Sequence, residues 1–104
     1  MDPITFEHHE VYLHVESGIL ELFRRNRIIG SYRTPVKWAK VRVDHRKKGL
    51  TRLNFGHVTD LDEPLYATAP GQLLARVEIQ TTDEPLYRAF FTDLARRANR
   101  RIAD

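Results

Sequence analysis

From Ile4 to Gln80, short runs set apolar and polar residues in turn, and glycine, proline or small polar residues cut one run from the next. A period of two puts alternate side chains on one face of a pleated strand, so these runs predict strands with one face buried. After Gln80 the period changes to that of a helix. A series of strands closed by one amphipathic helix predicts an α+β, mainly β, fold in which the helix covers part of the sheet. The chain has 104 residues, room for a single domain spanning 1–104, with strands over about 4–80 and the helix over about 84–102.

The runs can be read one by one. Ile4, Phe6 and His8 alternate with polar neighbours, as do Val11, Leu13 and Val15, and Ser17-Gly18 ends that stretch. Ile19 to Phe23 predicts a strand, Arg24 to Arg27 a tight turn, and Ile28 to Tyr32 the return strand. Thr34-Pro35 is expected to break the ladder, because proline has no N–H to donate. A strand over Lys37 to Asp44 follows, with Trp38, Val41 and Val43 facing inward and a bulge shifting the face between Trp38 and Val41. Arg46 to Gly49 predicts a hairpin loop, and Leu50 to Phe55 its return strand, ended by Gly56. Residues 57–71 are the least regular, and Gln72 to Gln80 alternates again with Leu73, Ala75, Val77 and Ile79 on one face.

The helix has a clear start. Thr81 or Thr82 is placed to cap it, Asp83 and Glu84 set negative charge at the positive end of its dipole, and Pro85 falls in the first turn. Its predicted inner face is Leu86, Phe90, Leu94 and Ala98, joined by Tyr87 and Phe91. Arg97 and Arg101 also fall on the apolar side, which suggests either that the last turn runs beyond the core or that it contacts a partner. The segment Asp-Glu-Pro-Leu-Tyr occurs at 62–66 as well as 83–87, so the first copy predicts a short helical turn before Ala69-Pro70.

Taken together, the strand pair Ile19–Phe23 and Ile28–Tyr32, the break at Thr34-Pro35-Val36-Lys37-Trp38, the hairpin around Arg46–Gly49 and the final helix resemble the pleckstrin-homology-like superfamily, in particular its small bacterial members. The resemblance is one of element order over nearly the whole chain. It implies a strongly curved antiparallel sheet or barrel of six or seven strands, capped by the helix, and a general binding role. Many eukaryotic members carry a tryptophan in the terminal helix; here Tyr87, Phe90 and Phe91 fill that stretch and Trp38 is the only tryptophan. Members that bind phosphoinositides carry spaced Lys/Arg residues around the first hairpin, a region that is acidic here.

Charge is unevenly laid out. Residues 1–23 hold Asp2, Glu7, Glu10, Glu16 and Glu21 and no Lys or Arg, whereas residues 24–52 hold eleven Lys or Arg against the single acid Asp44. Such segregation attracts an anionic partner, unless acidic and basic strands lie side by side and neutralise each other. The candidate binding residues are therefore the two basic tips, Arg24, Arg25 and Arg27 in one and Arg46, Lys47 and Lys48 in the other, with Arg97 and Arg101 on the helix. They suit a protein partner or a second copy of the chain; the alternative is an anionic surface, lipid headgroups or nucleic acid. An aromatic platform of Tyr12, Tyr32, Trp38 and Phe55 for single-stranded nucleic acid competes with the use of the same rings in the core.

Chemistry is sparsely represented. The absence of cysteine removes disulfides, thiolate metal sites and a cysteine nucleophile. No Gly-x-Ser-x-Gly and no phosphate-cradling glycine loop occurs, and Ser17 and Ser31 have no catalytic context, so no enzyme activity and no cofactor are expected. His8, His9 and His14 suggest a metal, but one continuous strand would hold His8 and His14 about 20 Å apart, so no metal site is assigned. His57 with Asp60, Asp62 and Glu63 lacks the spacing of a calcium loop and reads as a solvated acidic segment. The N-terminus lacks a signal-peptide pattern and no apolar run is long enough to span a bilayer, so a cytoplasmic protein is expected.

Overall fold

The computed structural model describes residues 3–24, 32–70 and 73–103. Strands β1 (Ile4–His8), β2 (Val11–Glu16), β3 (Ile19–Arg24) and β4 (Tyr32–Pro35) form an antiparallel meander in chain order. Their inner residues are the alternating ones the sequence marks: Val11, Leu13 and Val15 on β2, and Leu20 and Leu22 on β3, are all buried. The predicted return strand Ile28–Tyr32 lies largely outside the described residues; within them, the strand opposite β3 starts at Tyr32. Thr34-Pro35 does not break the ladder. Pro35 is paired opposite Ile19, at the end of a strand bonded on one side only, and an edge strand tolerates proline.

A short 3₁₀ turn, Val36–Trp38, hands the chain to a second sheet. Its strands are β5 (Ala39–His45), β6 (Leu50–His57), β7 (Tyr66–Thr68) and β8 (Ala75–Gln80), in the order β7-β5-β6-β8. The expected single curved sheet or barrel is thus replaced by two four-stranded sheets, because the turn at Val36 separates β4 from β5 instead of bulging one continuous strand. Val36 takes the inward position expected of Trp38, which is 47% exposed. Strand β6 runs through Gly56, where a side chain would meet Leu73 at 3.0 Å, so the glycine permits a close approach and does not end the strand. The first Asp-Glu-Pro-Leu-Tyr copy leads into β7, not into a helix. Its Leu65 and Tyr66 are buried, and β7 pairs in parallel with β5. Of the expected strand over Gln72 to Gln80, Ala75 to Gln80 forms β8, and Leu74 is exposed.

Helix α1 (Glu84–Arg97) follows a 3₁₀ turn over Thr81–Asp83. It ends earlier than the periodicity predicts. Asn99 takes φ 56°, Arg100 N–H donates to the Ala95 carbonyl at 2.7 Å and Asn99 N–H to that of Arg96 at 3.3 Å. Those two bonds are the left-handed termination that satisfies the last carbonyls of a helix. Arg100, Arg101 and Ile102 therefore lie beyond the helix, and Ile102 bridges to Tyr66. The buried face is centred on Tyr87, Phe91, Leu94 and Ala95, while Leu86, expected inside, is 50% exposed.

The two sheets and the helix share one apolar core. Aromatic contacts join them: Tyr32 to Phe55, Phe55 to Phe91, Tyr66 to Phe91, and Phe6 to Tyr87. Each buried tyrosine finds a polar partner, as a hydroxyl taken out of water must. Tyr32 donates to the Gly56 carbonyl at 2.6 Å, Tyr66 to Glu84 at 2.6 Å, and Tyr87 bonds His8. Arg100 donates to the carbonyls of Val36, Ala39 and Glu63 and ties the turn between the sheets to the segment after the helix. Phe91 is fully buried and packs the helix against Phe55 and Tyr66 of the second sheet. We expect F91A to lower unfolding free energy by about 3–5 kcal/mol in chemical denaturation, a cavity cost typical of a buried aromatic.

Candidate functional site

The structure brings Arg24 and the second basic tip to one end of the molecule. Arg24 closes β3 opposite Val11, and Val11 and Leu50 line the same cavity, of about 380 Å³. Leu50 opens β6 directly after the second tip, Arg46-Lys47-Lys48-Gly49, which turns through φ 64° at Lys48 and 72° at Gly49. Arg25 and Arg27 lie outside the described residues. Arg46 pairs with Asp44 at 3.3 Å, whereas Lys47 and Lys48 are exposed and make no ion pair among the described residues. The residues expected to make a partner contact from the helix do not join them. Arg97 pairs with Asp93 on its own helix at 2.8 Å, and Arg101, off the helix, donates to the Asp62 carbonyl and lines a different cavity.

Part of the basic block is paired with acids in space. Arg33 meets Glu21 across β3 and β4, Arg52 meets Glu78 across β6 and β8, and Lys40 and Arg42 both face Glu63. The segment read as a solvated acidic loop therefore sends one acid inward as a counter-ion. The Glu63 carboxylate also accepts the backbone N–H groups of Thr59 and Asp60, at 2.6 and 3.1 Å. These backbone bonds, with help from Lys40, hold its pKa down at about 2. The aromatic platform divides: Tyr32 and Phe55 are core residues, while Tyr12 and Trp38 are exposed. Tyr12 lies directly opposite Phe23 on the outer face of the first sheet, with ring centroids 6.1 Å apart, and Phe23 is 40% exposed.

A second grouping lies at the same end and was not visible in the sequence. β1 and β2 form a hairpin through His9 and Glu10, so His8 faces inward and His14 outward, on opposite faces and not on the one face a single strand would give. His8 bonds the Tyr87 hydroxyl through Nδ1 at 2.8 Å and faces Asp83 through Nε2 at 3.3 Å. His9, held at φ 52°, sets its ring 4.2 Å from that of His8. Ligand atoms of His8, His9 and Asp83 all lie within 4.8 Å of one another, the one such trio among the described residues. Burial pushes the pKa of the Tyr87 hydroxyl well above its ordinary value and Asp83 adds to the shift, so the hydroxyl stays protonated. Asp83 reads in the sequence as a helix-start acid, and nothing in its spacing links it to the N-terminal hairpin.

No protein-family model matches the chain, and no curated protein or solved structure is similar to it. Among the described residues, no helix is long and apolar enough to cross a membrane.

A depressed pKa has a definite consequence for stability. Glu63 contributes stabilisation that is present above its ordinary value of 4.5 and lost as the pH falls through about 2. In acid unfolding followed by circular dichroism, E63Q is expected to be less stable than the parent at neutral pH. It should also show a shallower loss between those two pH values. Asp93, also held low by Arg97 and Arg96, keeps some slope in the variant.

Proposed function

We propose that the chain is a non-enzymatic interaction module, of pleckstrin-homology-like element order, that binds a protein surface, a second copy of itself included. The observation that carries this reading is the solvent-facing pair Tyr12 and Phe23, next to Arg24, at the end where Lys47 and Lys48 also project. Aromatic residues and arginine are the usual anchors of protein interfaces, where burying a ring costs little side-chain entropy. The same sheet face carries Glu7, Glu16 and Glu21, the last paired with Arg33, around the rings, and the β5–β6 tip carries lysines with no ion pair among the described residues. An acidic, aromatic face and a basic tip on one molecule complement each other head to tail.

A second reading, recruitment to an anionic surface, is supported by Arg24 and the Arg46-Lys47-Lys48 tip lying at one end. Each cation held near an anionic membrane adds roughly 1 kcal/mol, and phosphate contacts act similarly on nucleic acid. The two readings separate in solution. Sedimentation equilibrium at low salt is expected to show mass rising with concentration, and F23E or the double variant K47E/K48E should return the chain to monomer. High salt should weaken the association, since the contact is charge-complementary. A strict monomer that pellets with phosphatidylserine vesicles, or shifts a single-stranded oligonucleotide, moves the function to the anionic surface. A monomer that does neither removes both readings.

A further inference from the structure

We infer that His8, His9 and Asp83 form a binding site for a divalent transition-metal ion of the zinc class. Two imidazoles and a carboxylate are a ligand set that such ions accept, with further positions left for water or an exogenous ligand. The geometry fits. Metal–nitrogen and metal–oxygen bonds of about 2.0–2.2 Å at a tetrahedral angle set neighbouring ligand atoms about 3.3–3.5 Å apart. His8 Nε2 and Asp83 Oδ2 are separated by 3.3 Å. That spacing is long for a charge-assisted hydrogen bond, about 2.7–2.9 Å, and matches one edge of a coordination tetrahedron. The third ligand atom, on His9, lies within 4.8 Å of both, and rotation of this exposed side chain closes the remaining gap.

Three features of the surroundings point the same way. The imidazole of His8 is held from behind by Tyr87, whose hydroxyl is 2.8 Å from Nδ1. With the Nδ1 proton donated to that oxygen, the Nε2 lone pair is free for a metal, the arrangement in which an outer partner fixes the ligand tautomer. Asp83 stands at the cap position of α1 but makes no side-chain cap bond; its carboxylate is turned to His8 instead. A cap forgone costs about 1 kcal/mol, so the carboxylate is committed to the histidine side at some expense to the helix. The trio also opens onto the cavity of about 380 Å³ that Glu10, Leu50, Glu78 and Gln80 help to line. A fourth ligand therefore has room to approach.

The first sheet supplies its own control. His14 and Glu16 also form a histidine–carboxylate pair, at 3.1 Å, on the outer face and without a third ligand. Isothermal titration of the full chain with Zn²⁺ is expected to show one site. H9A and D83N should each weaken it by about tenfold or more, while H14A leaves it unchanged. Co²⁺ in place of Zn²⁺ should give the visible absorption of a low-symmetry, four-coordinate site in the parent and lose it in D83N. His9 and Asp83 lie at the surface end of their elements, so both variants are expected to keep the far-ultraviolet dichroism of the parent. If the parent takes up no more Zn²⁺ than D83N, or if H14A loses as much binding as H9A, the trio is only a latch between β1 and α1 and the assignment fails.

Discussion

The buried hydroxyl of Tyr87 constrains everything built around it. The ring belongs in the core, against Phe6 of the first sheet. Its oxygen then sits where water does not reach freely, and an unbonded hydroxyl there costs about 1–3 kcal/mol. His8 meets that need at 2.8 Å, which fixes the end of β1 against the first turn of α1. Once Nδ1 is committed, Nε2 has one direction left, and Asp83 stands in it. The same logic repeats on the second sheet, where Tyr66 donates to the buried carboxylate of Glu84, itself paired with Arg88. Two adjacent helix-start acids are thus each turned to a different sheet, and the helix is fastened to both by its N-terminal turn.

Charge behaves differently in the sequence and in space. The block from residue 24 to 52 carries eleven cations, but the register of the strands sets Glu21 beside Arg33 and Glu78 beside Arg52. Exposed pairs of this kind contribute little to stability, about 0–1 kcal/mol each. Their effect is on the field: they offset charge along the sheets, while Lys47 and Lys48 stay exposed and without an ion pair among the described residues at the β5–β6 tip. A localised charge of that kind, close to exposed rings, can orient a partner without binding every polyanion that approaches. Glu63 has a further part. It balances Lys40 and Arg42 where they are half-buried, and its own loop supplies the backbone donors that keep it ionised.

The candidate site was half legible. Arg46, Lys47 and Lys48 sit on the hairpin tip that Gly49 predicts, and the strands on either side of it have the faces their alternation gives them. His8, His9 and His14 carry a metal signal in the sequence, but a straight strand keeps His8 far from His14. The true partner, Asp83, arrives from the opposite end of the chain, and only the packing of α1 against β1 brings it there. Trp38 and Leu86 were misplaced for a related reason. Each is apolar at an alternating or helical position, but the 3₁₀ turn before β5 and the rotation of α1 about its axis put Val36 and Ala95 inside in their stead.

By itself the sequence determined what depends on neighbours along the chain. The two-residue alternation settles which side chains of β2, β5 and β8 share a face, Gly18 and Gly49 settle two of the turns, and Asp83-Glu84-Pro85 settles where the helix starts. The division into two sheets, the parallel strand at Tyr66, the early end of α1 at Asn99 and the meeting of His8, His9 and Asp83 were decided by tertiary structure. Each of those depends on contacts between segments remote in sequence: a buried hydroxyl that needs a hydrogen-bond partner, a turn that breaks one ladder to begin another, and a shared core that admits only one rotation of the helix.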